Sequence, residues 1–173
     1  METVKEENEI SKILKIVRLI KNRFNFALAS GTITILGVMV GLYSGTYMKS
    51  VVIGGIITIA IADAFSDALG FYISRETEEI ESKKVVWFST ISSFLFKFFF
   101  ILTFVIPTIL FSLKTAIIIS LVWGFFVIGL ISSQLPLKKA KHYLVMEHIL
   151  IALIVVVLTY YTGRWISLLL GSF

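Results

Sequence analysis

The sequence predicts an all-α integral membrane protein: five transmembrane helices over residues 23–173, preceded by an N-terminal amphipathic cytoplasmic or interfacial helix over residues 1–22. Three observations predict it. Of the 173 residues, 57% are hydrophobic and 16% charged, whereas a soluble domain carries about 25% charged residues. Five apolar runs each approach or exceed the roughly 20 residues that a helix needs to cross a bilayer. The 16 basic and 11 acidic residues, a net charge of +5, are segregated between loops, which reads as membrane topology and not as nucleic-acid binding. Cysteine is absent, so disulfides and thiolate metal sites are excluded and any metal would meet oxygen, Met or His ligands. No secretory signal peptide is expected, because the first apolar run follows a mixed-charge segment and lacks a small-residue cleavage pattern.

Residues 1–22 open with Glu2, Glu6, Glu7 and Glu9 and then turn basic at Lys12, Lys15, Arg18 and Lys21. Ile10, Ile13, Leu14, Val17 and Ile20 recur at helical spacing and leave the basic residues largely opposite. That pattern fits a helix lying on an anionic membrane surface, or a cytosolic extension of the first span. The first span is Phe24–Tyr47. Within it Gly37, Gly41 and Gly45 repeat every fourth residue, a face on which another helix backbone can approach closely, so the spacing predicts a helix-packing or parallel homodimer seam.

The second span, Ser50–Ile73, carries Asp63 and Asp67 four residues apart, hence on one helix face. A charge near the bilayer centre costs at least about 2.5–3.5 kcal/mol. Two retained one turn apart predict an ion or proton site; the alternative is that they neutralise a buried Lys and lock helices together. Glu76, Glu78, Glu79 and Glu81 follow directly, either collecting cations for that site or forming a solvated helix end balanced by Lys83 and Lys84.

The third span, Val85–Phe111, contains Lys97 well inside and Pro107 near its far end, where a bend is expected. Counting the helical rise from the basic loops places Lys97 about 20 Å deep, Asp63 about 18 Å, Asp67 about 12 Å and Ser30 about 10 Å. An Asp63–Lys97 pair is therefore expected, with Lys97 as a proton-coupled counter-ion that stays charged until a cation or proton takes its place. The fourth span is Thr115–Ser133 and the fifth Met146–Leu170. His148, beside Glu147, is expected to be an ordinary hydrogen-bonded residue in preference to a metal ligand, and Arg164 is close enough to its helix end to snorkel.

Lys and Arg number six before the first span (Lys5, Lys12, Lys15, Arg18, Lys21, Arg23), three in the second loop (Arg75, Lys83, Lys84) and three in the fourth (Lys138, Lys139, Lys141). The alternate loops hold one each, Lys49 and Lys114. The positive-inside rule then predicts a cytoplasmic N-terminus and a C-terminus outside or in a lumen.

The stretch Ile61-Ala-Asp63-Ala-Phe-Ser66-Asp67-Ala-Leu-Gly70-Phe-Tyr72-Ile-Ser74 resembles the Ala-Asp-Ala-x-Ser-Met-x-x-Gly-Glu-Tyr-x-Ser signature of the vacuolar iron transporter family. Leu36-Gly-Val-Met-Val-Gly41 resembles that family's first-helix pattern, and Tyr161-Thr-Gly163-Arg164 its fifth-helix one. The resemblance implies a homodimer that exports Fe²⁺ or Mn²⁺ from the cytosol in exchange for protons, along its first two helices. It implies Asp63 and Asp67 as metal ligands, Ser30 as an auxiliary oxygen, and Glu76 and Glu79 as cytosolic collectors. The chain departs from the family where Ser30 stands for an Asp, Asp67 for a Met, Phe71 for a Glu, and Lys97 for a small or apolar residue. A carboxylate in place of a thioether shifts the preference towards hard cations. The short second loop leaves no room for the cytosolic metal-binding helical bundle of larger members.

The expected function is thus a divalent-cation transporter of the bilayer, with the metal cation as substrate and no permanent cofactor. The alternative is a non-transporting structural or regulatory protein of the same fold, in which Lys97 occupies the cation position. No catalytic constellation of Ser, His and Asp supports an enzyme.

Overall fold

The computed structural model describes residues 2–76, 83–134 and 141–171, with side chains described over 24–74, 83–84, 86–134 and 142–171. The described structure consists of helices joined by short turns: α1 (Glu2–Thr46), α2 (Lys49–Glu76), α3 (Lys83–Leu102), α4 (Val105–Leu110), α5 (Leu113–Ser133) and α6 (Lys141–Leu170). Five stretches are long and apolar enough to cross a membrane, Phe24–Thr46, Lys49–Ser74, Val86–Leu110, Leu113–Ser133 and His142–Leu170, so the all-α membrane architecture is as expected.

α1 has 45 residues without a break. At 1.5 Å per residue it is about 68 Å long, more than the roughly 40–45 Å of a whole bilayer. The N-terminal segment and the first span are therefore one continuous helix, and the boundary expected at residue 22 is not a backbone interruption.

The third span is not continuous, as its expected range implied, but is divided into α3 and α4. Pro107 has no N–H to give the Thr103 carbonyl, and its ring collides with that carbonyl in a regular helix. The chain tightens instead: Thr103 N–H donates to Phe100 O at 3.1 Å, Phe104 N–H to Ile101 O at 3.1 Å, and Ile106 N–H to Thr103 O at 3.3 Å. Two hydroxyls fold back on the same turns, Thr103 Oγ1 donating to Phe100 O at 2.7 Å and Thr108 Oγ1 to Phe104 O at 2.9 Å. In a bilayer these bonds give partners to backbone groups that the break would otherwise leave unpaired.

α1 is the central helix. It packs most extensively on α6 and also meets α2, α3 and α5, while α2 packs chiefly on α3. The apolar core gathers Ile35, Leu36, Met39 and Val40 of α1 with Val52, Ile56 and Ala60 of α2, Ile101 of α3 and Ile117 of α5. Lipid is as apolar as Leu, so association depends on close fit and small residues more than on water exclusion. Leu36 and Leu42 of α1 supply that fit by nesting into glycine notches: a Cβ on Gly124 of α5 would lie 2.6 Å from Leu36 Cδ1, and one on Gly55 of α2 would lie 2.2 Å from Leu42 Cδ1.

The glycine face of α1 is a packing seam, but its partner is α6 of the same chain. A Cβ on Gly37 would lie 3.2 Å from Val155 Cγ1, one on Gly41 3.4 Å from the Thr159 carbonyl oxygen, and one on Gly45 3.3 Å from that of Gly163. Ser44 closes the seam by donating to Tyr160 O at 2.9 Å. The packing-seam reading of Gly37, Gly41 and Gly45 is thus met by α6 of the same chain, and these contacts do not call for a second copy.

Candidate functional site

Three helices bring four polar side chains to one point among the apolar residues of the spans. α2 presents Asp63 and Asp67 one turn apart, α1 presents Ser30, and α3 presents Lys97. Lys97 is 1% exposed, while the Asp63 and Asp67 side chains are 18% and 23% exposed. The ammonium is thus sealed in the bundle, with the carboxylates between it and the surface.

The Lys97 ammonium donates to Ser30 Oγ at 2.9 Å and forms a charge-assisted hydrogen bond and ion pair with Asp67 Oδ2. Ser30 passes the polarity on by donating to the same Asp67 oxygen at 3.2 Å. Asp63 Oδ2 lies 2.8 Å from Lys97 Nζ, yet this buried oxygen receives no hydrogen bond. The two facts agree if the contact lies off the donor axis: an ion pair, with attraction but without directed bonding. Three donors on one ammonium therefore face three oxygens, one of them imperfectly aligned.

Local sequence makes this possible. A Cβ on Gly31 would come within 3.2 Å of Lys97 Cε and 3.6 Å of Ile101 Cγ1, so the bare backbone beside Ser30 is the channel for the lysine stem. Aromatic contacts clamp the same helices, Phe24 against Phe96 at 4.4 Å and Phe65 against Phe94 at 4.5 Å between ring centroids. Both pairs contact edge-on or tilted, the favoured aromatic geometries.

With all three groups ionised, two carboxylates and one ammonium leave a net charge of −1. A buried pair needs only one acid. The second carboxylate gives the cluster capacity for one more positive charge, whether proton or cation, and low dielectric makes that excess costly when unfilled.

The structure places the expected Asp63–Lys97 contact and adds the Asp67–Lys97 bond, which depth counting did not anticipate. Ser30 joins the cluster, accepting from the ammonium and donating to Asp67. Among the described residues no three His, Asp or Glu side chains gather into a metal-binding group. Glu79 lies outside the described residues, and for Glu76 only its backbone, at the end of α2, is described. His148 Nδ1 lies 2.7 Å from Ser132 Oγ, an α5–α6 hydrogen bond in keeping with its ordinary reading. No protein-family model, curated protein or solved structure matches the chain.

Proposed function

We propose that the protein is a proton-linked cation transporter in which the Lys97 ammonium holds the cation position of the resting site. The observation that supports this reading is the convergence of Ser30, Asp63 and Asp67 on one buried positive charge, with one carboxylate in excess. A divalent ion with neutral Lys97 brings the cluster to zero, and so does a proton beside charged Lys97. An incoming hard cation and the ammonium repel one another and compete for the same oxygens, so arrival of one is linked to departure of the other or of its proton. The resemblance to the vacuolar iron transporters supports Fe²⁺ or Mn²⁺ as the class of cargo. With the N-terminus cytoplasmic, Asp67 lies on the cytosolic side of Asp63 and export follows. In proteoliposomes the wild type is expected to take up Mn²⁺ against a counterflow of protons. Asp67→Asn should weaken Mn²⁺ binding by at least about tenfold, since even a supporting neighbour of a metal ligand carries 10–100-fold. Equal Mn²⁺ affinity in the two proteins by calorimetry, or no uptake by the wild type, would defeat the proposal.

A second reading is favoured by the burial of Lys97: an ammonium sealed among three oxygens is also what a purely structural clamp needs. In that case the protein transports nothing and the triad fixes α1, α2 and α3 together.

If the protein is a homodimer, the face available for it is on α2. Gly54, Thr58, Ala62, Ser66 and Gly70 recur every fourth residue and are all exposed, and a Cβ on Gly54 or Gly70 meets nothing within 4 Å. Such a small-residue face suits close helix pairing, and it flanks the exposed side of Asp63 and Asp67. Gly70→Leu, which has open space in the single chain, should halve the mass measured by light scattering in detergent. An unchanged mass would remove this face from the assembly.

A further inference from the structure

We infer that the groove between the C-terminal halves of α1 and α6 binds an anionic phospholipid, one acyl chain lying in the groove and the phosphate against Arg164. The inference rests on none of the cation chemistry above. The groove has a volume of about 530 Å³, within the roughly 300–1,000 Å³ typical of ligand pockets. Its floor is the glycine face of α1, and Val38, Leu42, Ile166 and Leu170 make it apolar. From Gly37 to Tyr47 it runs about 15 Å along the helix, which matches half of the roughly 30 Å hydrocarbon core. A slot of that length in one leaflet accommodates one lipid chain.

The mouth supplies the charge. Arg164 is exposed at the end of α6, and its Nη1 donates to the Tyr47 hydroxyl at 3.3 Å, Tyr47 being itself part of the groove wall. A guanidinium has five donors in a planar fork suited to phosphate, and among the described residues no carboxylate pairs with this one. The sequence explains why. Among the described residues this end of the bundle carries Lys49, Lys114 and Arg164 and no acidic side chain, Asp63 and Asp67 lying in the Lys97 cluster and Glu147 near the opposite end of α6. Lys49 is engaged with the Ile109 and Phe111 carbonyls at 2.8 and 3.1 Å, and Lys114 stands on α5, which contributes nothing to the groove lining, so Arg164 is the cation at the mouth. Tyr47 bonds it, and Tyr161 and Trp165 stand exposed three residues before and one after it on α6, amphipathic rings of the kind found in a headgroup-level belt. A second copy fits less well, because a parallel partner would bring the same uncompensated positive end against this one.

The test is thermal unfolding of the full chain in neutral detergent, titrated with dioleoyl-phosphatidylglycerol, dioleoyl-phosphatidylcholine or glycerol phosphate. The expected result is a saturable rise of roughly 4 °C or more with phosphatidylglycerol, a smaller one with phosphatidylcholine, and none with glycerol phosphate. Arg164→Gln should erase the difference between the two lipids, and Thr162→Phe, which fills the groove from its exposed wall, should remove both rises. If Thr162→Phe does not fold, dihexanoyl-phosphatidylglycerol replaces it as the probe of the chain slot and should shift the wild type less than the dioleoyl lipid. Equal rises with both lipids in wild type and Arg164→Gln would overturn the inference. So would a rise with glycerol phosphate alone, or a lipid-free dimer that Thr162→Phe dissociates.

Discussion

Replacing Lys97 by Met is expected to destabilise the protein by about 3–5 kcal/mol, the scale for removing one member of a buried ion pair. The packing change is small, since Met is unbranched and fills nearly the same channel past Gly31. The electrostatic change is not. Asp63 and Asp67, one turn apart on α2 and mostly enclosed, lose their only described counter-charge, and the Ser30 hydroxyl loses the ammonium that donates to it at 2.9 Å. Two like charges held on one helix face then repel in a medium that screens poorly. Reversible unfolding of wild type and Lys97→Met in detergent measures the loss, and a second pair of curves recorded with Mn²⁺ separates the two functional readings. In a transporter the cation takes the vacated position, so Mn²⁺ should restore much of the lost stability and bind the variant more tightly than the wild type, while proton-linked turnover disappears. In a structural clamp the loss should stand at every Mn²⁺ concentration. A variant as stable as the wild type without any cation would show that the triad does not hold α1, α2 and α3 together.

The Lys97 cluster was partly legible in the sequence because intramembrane charges are few and helical rise is regular. Lys97 and Asp63 fall at nearly equal counted depths and do meet. Asp67, counted about 8 Å shallower than Lys97, meets it as well, for a reason that counting Cα positions omits. Side chains lean towards the N-terminus of their own helix, and α2 and α3 run in opposite directions. Asp67 therefore leans deeper and Lys97 leans back towards the basic loops, and the long lysine stem closes the rest. The division of the third span was foreshadowed by Pro107, but its place at residues 103–104 follows from the Thr103 carbonyl, which Pro107 cannot serve and the Ile106 N–H takes up instead. The glycine seam shows a different limit. Spacing identifies a face small enough for close approach and says nothing of what approaches it. The matching notch on α6, Gly163 beside Arg164, stood in the sequence as part of a motif and not as the partner of Gly41 and Gly45.

That notch yields the second large effect: Gly163→Ala should destabilise the protein by about 1–3 kcal/mol or more, as overpacking of a tight contact does. A Cβ at Gly163 would lie 2.1 Å from the Gly41 carbonyl oxygen and 2.3 Å from Ser44 Oγ. The first is backbone and cannot swing aside, so α1 and α6 must separate. Separation in turn loosens the hydrogen bond from buried Ser44 to Tyr160 O, a link that lipid cannot replace. Gly129→Ala in α5 is the control, because a Cβ there meets nothing and Ala exceeds Gly in helix propensity by about 1 kcal/mol. It should leave stability unchanged or raise it. The same unfolding assay reads both variants, and light scattering should find each with the wild-type mass, since a seam within one chain governs folding and not assembly. A destabilised Gly163→Ala that also dissociates would return the glycine face to the role of a subunit interface. A Gly163→Ala as stable as the wild type would mean that α1 and α6 do not cross as closely as the Gly41–Gly163 contact requires.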